Sequence, residues 1–165
     1  MVVLFFGGIG TYYFKVFRWR HLEDPKYDLL IVDKTDPAEL AFFRKKTVPD
    51  FVDPAKQQLT KLKDLRKATK GGTVVPDDFD QDMTEIGNRL IEVMEGAKLR
   101  QIPKQYQKKY EEVLMGIGDI YRSWRSLQEA MDTDIPQDKK RAIEQSIEAS
   151  KKATKRLDTQ RSFFL

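Results

Sequence analysis

The chain has 165 residues, 40% of them hydrophobic and 34% charged, with a formal net charge of +4. That is enough for one domain with an appendage, and the patterning is too regular for disorder throughout. With no cysteine, disulfides, thiolate catalysis and cysteine-ligated metals are excluded; the one histidine, His21, does not by itself make a metal site or a conventional triad.

The first stretch reads VVLFFGGIGTYYFKVFRWRH, and no charge appears before Lys15. Residues 1–21 are therefore expected to form a single transmembrane helix. Val2, Leu4, Phe5 and Phe6 supply its apolar part, and Tyr12, Tyr13, Phe17 and Trp19 settle at the headgroup level. Arg18 and Arg20 mark the positive side. The run is short for a span of about 20 residues, so Lys15 and Arg18 must snorkel or the bilayer must thin. A cleaved signal peptide fits less well, because the positive charge follows the apolar run and no small-x-small cleavage site is present. The rival is a β-hairpin: VVLFF and TYYFKVF are rich in strand formers, and Gly7, Gly8 and Gly10 supply a turn. Tyr27–Asp33 then adds a third strand. The same glycines are no phosphate loop, since no Gly-Lys-Ser/Thr follows them.

Residues 22–53 read as an extended linker, broken by Pro25, Pro37 and Pro49, with one short helix. Asp36 caps that helix and Pro37 takes its first position. It carries Leu40, Phe42 and Phe43 and ends in Arg44-Lys45-Lys46. Phe42 and Phe43 are candidate partner-binding side chains, against the plainer reading that they pack on the bundle.

Residues 54–165 are expected to be an antiparallel helical bundle, three long helices preceded by shorter ones. Asp53-Pro54 opens a helix with Leu59, Leu62, Leu65 and Ala68 on one face, and Gly71-Gly72 closes it as a left-handed cap. Pro76-Asp77-Asp78 starts the next, whose seam is Phe79, Met83, Ile86, Leu90, Val93 and Ala97. A further helix from Pro103 carries Tyr106, Tyr110, Val113, Ile117, Ile120, Trp124, Leu127 and Met131. Steps of four and three residues alternate without a slip in both, as in coiled coils and bundles. After Asp134-Ile135-Pro136 a last helix has Ile143, Ile147, Ser150, Thr154, Leu157, Arg161 and Phe164 in the matching places. Short connections make neighbours antiparallel. That last seam is thin, which leaves room for a protein partner, and Phe163, Phe164 and Leu165 are candidate contacts for it.

Charge comes in blocks. Lys56, Lys61, Lys63, Arg66, Lys67 and Lys70 face only Asp64, residues 76–134 are acidic, and residues 137–165 are basic again. Alternating blocks suit helices that attract one another, protein partners or lipid headgroups better than a nucleic-acid face. Asp78, Asp80 and Asp82 lack the glycine and terminal acid of a calcium loop and fit a helix's first turn instead. Gly116 and Gly118 interrupt the best helix, where close packing explains them more simply than a hinge or a ligand niche. Tyr106, Tyr110 and Trp124 lie on the seam, so burial explains them before base stacking does. No cofactor, metal or small-molecule substrate is implied. The expected function is a non-catalytic, membrane-anchored scaffold subunit, its domain on the cytoplasmic, matrix or stromal side. The alternative is a soluble α+β interaction module built on the hairpin.

Overall fold

A computed structural model describes residues 29–34 and 36–165. Helix α1, Pro37–Thr47, begins where Asp36 accepts a hydrogen bond from the Ala38 amide at 2.8 Å. It does not end in a linker. A π turn, Val48–Val52, leads directly into α2, Asp53–Ala68, with the Asp53 amide reaching the Val48 carbonyl. Pro49 and Pro54 each remove an amide donor, and the widened turn carries the helix past both. Phe43, Thr47, Val48, Phe51 and Val52 are buried, so residues 37–53 belong to the bundle and the linker expected over 22–53 does not extend through them. A proline reports a lost hydrogen bond, not exposure.

Helix α2 buries Ala55, Gln58, Leu59, Leu62 and Leu65, while Ala68 stays exposed. Lys70, Gly71 and Gly72 follow with φ of 48°, 70° and 88°, the left-handed stop expected at the glycine pair. Helix α3 spans Phe79–Lys98, α4 Gln107–Asp132 and α5 Pro136–Phe164. The α3 seam is buried at every position, and the α4 seam from Tyr110 to Leu127, with Tyr106 and Met131 half-buried at its ends. Trp124 donates its indole N–H to the Met83 carbonyl at 2.7 Å, and the Tyr110 hydroxyl donates to the Ala97 carbonyl at 2.9 Å. Both large aromatics thus satisfy their polar atoms while tying α4 to α3.

Helices α2 to α5 run up, down, up and down, and α5 returns to pack on α2 as well as along α4. Helix α1 lies across one end of this bundle, where Phe43 meets Tyr106, Tyr110 and Phe164. At the same end Ile31–Val32 (β1) pairs in parallel with Ile102–Pro103 (β2), in the α3–α4 connection. The third strand expected over Tyr27–Asp33 is therefore extended at Ile31–Val32, with a helix–helix connection as its partner.

The α5 seam needs correction. Ile143, Ser150, Leu157 and Phe164 are buried as expected, but Ser146, Ala153 and Gln160 complete the row, with Ile147 exposed and Thr154 and Arg161 half-buried. Both rows alternate steps of three and four, so spacing alone does not choose between them. Among the described residues no helix is long and apolar enough to cross a membrane. The anchor expected at Val2, Leu4, Phe5, Phe6, Tyr12, Tyr13, Phe17, Arg18, Trp19 and Arg20 lies outside them.

Candidate functional site

Two places concentrate side chains that can do more than pack: a polar layer inside the bundle and its α1 end. The polar layer comes from small residues on α4 and α5. Ser123 donates to the Ser146 carbonyl and Ser146 to the Ser123 carbonyl, each at 2.8 Å, and the Ser123 and Ser150 hydroxyls lie 2.7 Å apart. Arg66 reaches in from α2 and donates to the Ser150 hydroxyl at 2.9 Å and the Ser146 hydroxyl at 3.1 Å. Burial lowers the Arg66 pKa, and Lys63, which donates to Thr154, is lowered by burial first and by Arg66 second.

One turn along α4, the buried Asp119 carboxylate takes Arg122 and Arg156, and Arg156 also pairs with Glu112. These groups answer one another across α2, α4 and α5, and such satisfied networks fix helix register. Among the described residues the serines bond to neighbouring hydroxyls, carbonyls and a guanidinium, and to no carboxylate or imidazole that would activate them. Outside this layer an open groove of about 760 Å³ runs between α4 and α5, lined by Arg122, Arg125, Arg141, Lys152, Glu144 and Glu148 among others, charges of both signs. Among the described residues no three His, Cys, Asp or Glu side chains are grouped to hold a metal.

The α1 end is built around Phe43. Its ring stacks on Tyr106 at 5.7 Å and meets Phe164 edge-on at 6.2 Å, while Phe164 meets Phe163 at 5.0 Å. The Arg100 guanidinium covers both Phe43 and Phe51 and pairs with Asp50 at 2.8 Å. Burial pushes the Tyr110 phenol well above its ordinary pKa. Of the expected partner contacts, Phe43 and Phe164 are therefore core, and Phe163 is half-buried against Tyr106. They differ from that expectation because α1 folds over the end of α5 and closes it. Phe42 and Leu165 do face outward, 60% and 71% exposed, and a shallow groove of about 570 Å³ beside Phe42 is walled by Lys34, Glu39, Arg100 and Pro103.

Two further outward side chains at this end, Leu30 and Leu99, escape a reading based on periodicity. Leu99 lies just past the last seam residue of α3, where the helical repeat has stopped. Leu30 precedes a two-residue strand too short to show alternation. Comparison with protein-family models, curated proteins and solved structures finds no match to this chain.

Proposed function

We propose that the chain is a non-catalytic, single-pass membrane-anchored scaffold subunit that presents its helical bundle to protein partners in a larger complex. The observation that carries this reading is the run without charge before Lys15, followed by Lys15, Arg18 and Arg20 among aromatics. Val2–Phe17 anchors the chain, Arg18–Arg20 sets its orientation, and the bundle stands on the cytoplasmic, matrix or stromal side. The packing supports a scaffold role: the seams of α3 and α4 fill their own core, leaving the outer surface to make contacts. Alkaline carbonate extraction of membranes from cells expressing the intact chain is the test of the anchor. Retention in the pellet supports it, and quantitative release removes it. Pull-down from mildly solubilised membranes then tests the scaffold role, with a stoichiometric protein partner expected.

A second reading has one observation in its favour. The Ile31–Val32 pairing with Ile102–Pro103 shows that the bundle end accepts a strand. In that reading the VVLFF and TYYFKVF segments extend a small sheet there, the protein is a soluble α+β interaction module, and carbonate releases it.

A further inference from the structure

We infer that the α1 end of the bundle is itself a membrane contact, seated on the headgroups of anionic lipids. The inference rests on the anchored reading and adds to it a surface, an orientation and a lipid chemistry.

The first observation is where the undescribed chain arrives. Residues 29–34 run along the α3–α4 connection, with the Ile102 amide donating to the Leu30 carbonyl at 2.7 Å. Whatever precedes Leu29 therefore enters at this end. If the anchor ends at His21, residues 22–28 alone join it to the bundle, and fully extended they reach about 25 Å, at roughly 3.5 Å per residue. So short a tether holds this end close to the bilayer and makes any surface contact effectively intramolecular.

The second observation is what this end exposes. Leu30, Phe42, Leu99 and Leu165 point outward at 52%, 60%, 78% and 71% exposure. Exposed basic residues stand around them, Arg44, Lys45, Lys46, Lys104, Lys108 and Lys109, and outnumber the exposed acids of this end, Asp33, Asp36, Glu39 and Asp50. Arg44, Lys45 and Lys108 have no carboxylate partner among the described residues, and Lys46 and Lys109 lie over the Phe42 and Phe163 rings. Apolar side chains ringed by cations match the interfacial region of a bilayer with anionic headgroups.

The far end provides the contrast. It also exposes apolar side chains, Val74, Val75 and Ile135, but exposed Asp77, Asp78, Asp80, Asp82, Asp132 and Asp134 stand beside them, and Lys70, Lys139 and Lys140 offset only part of that charge. An anionic surface repels that end and attracts the other. Charge and tether agree on which end faces the membrane.

The chain has no cysteine, so single labels can be placed without other changes. Full-length Leu99→Cys and Val75→Cys proteins carry a fluorophore and are reconstituted into phosphatidylcholine vesicles, with or without about one-third phosphatidylserine. Lipids bearing a nitroxide near the headgroup report proximity by quenching, and carbonate extraction of the same vesicles reports the anchor. The expected result is quenching at position 99 that needs phosphatidylserine and is weak at position 75. It should fall at least about twofold in high salt. The Arg44→Gln, Lys45→Gln and Lys46→Gln triple variant, all exposed sites, should lose quenching while keeping its helical circular dichroism. Carbonate-resistant protein with equal quenching at both positions would overturn the seating and leave the anchor standing. Quenching at position 99 indifferent to phosphatidylserine would overturn the anionic-headgroup chemistry, and carbonate-resistant protein with weak quenching at position 99 in every vesicle would overturn the contact and move this surface to a protein partner. Phosphatidylserine-dependent quenching of protein that carbonate releases would keep the surface and remove the anchor.

Discussion

Gly116→Ala is the substitution whose sign the structure decides. In a solvent-facing helix, alanine for glycine stabilises by about 1 kcal/mol. Here a Cβ at position 116 falls 2.8 Å from Leu157 Cδ2 and 2.9 Å from Leu157 Cγ. Leu157 is fully buried, and Cγ is its branch point, so the side chain cannot swing clear without disturbing α5. Overpacking of this kind costs about 1–3 kcal/mol, which offsets the propensity gain and leaves a net loss of up to about 2 kcal/mol. Urea unfolding of four proteins, wild type, Gly116→Ala, Leu157→Ala and the double variant, isolates the clash. In the Leu157→Ala background the obstruction is gone and Gly116→Ala should become stabilising by about 1 kcal/mol, so its effect changes sign between the two backgrounds and the cycle reports the coupling. If Gly116→Ala stabilises the wild-type protein as it would an exposed helix, α4 and α5 do not approach as closely as described here.

Trp124→Phe removes the indole bond to the Met83 carbonyl and should cost about 1–2 kcal/mol in urea, whereas Lys108→Ala, exposed, should cost less than about 0.5. Deleting Ser162–Leu165 takes away the buried Phe164 and should destabilise by about 3–5 kcal/mol, while Phe42→Ala should leave the midpoint almost unmoved; an unshifted midpoint after the deletion would place Phe164 outside the core. The hydrogen bond from Lys61 holds the Glu85 carboxyl below its ordinary range, so its contribution is present above the unfolded pKa and lost as pH falls through the folded one. The stability difference between wild type and Glu85→Gln should therefore shrink to nothing between about pH 5 and pH 3, and a difference constant across that window argues against the Lys61 pairing.

The parts of the fold legible in sequence are those where large apolar residues recur without competition. Helices α3 and α4 carry their large apolar residues on one row or flanking it, as Ile91, Met94, Leu114 and Tyr121 do, and charged residues on the opposite face, so the 3.6-residue period points to one face. Helix α5 offers two rows of small or polar residues. Ser146, Ala153 and Gln160 are not visibly more apolar than Ile147, Thr154 and Arg161, and local hydrophobicity favours the wrong row at Ile147. The choice is made elsewhere in the chain: Ser146, which only the buried row contains, takes a donor from Arg66 and exchanges hydrogen bonds with Ser123. The passage from α1 to α2 fails for another reason. Pro49 and Pro54 are strong local breakers, and a π turn that carries the chain past both leaves no periodic trace.

The thin α5 seam looked like an unfilled face awaiting a partner, and the structure gives those residues partners within the chain. Ser150 bonds to Arg66, Thr154 to Lys63, and Arg161 pairs with Asp53 at 3.0 Å, all on α2. Lys63 and Arg66 complement the seam of hydroxyls, while Lys56, Lys61 and Lys67 pair with Asp158, Glu85 and Asp64. Burying small polar side chains gains little apolar area, so what this layer contributes is a set of directional bonds that holds α2 and α5 in one register. An external contact therefore has to use side chains the bundle does not claim. Large apolar groups of that kind stand at both ends, but among the described residues bases outnumber acids around them at the α1 end and acids outnumber bases at the other, and the N-terminal segment enters at the α1 end. The functional argument accordingly moves from the side of α5 to the end of the bundle.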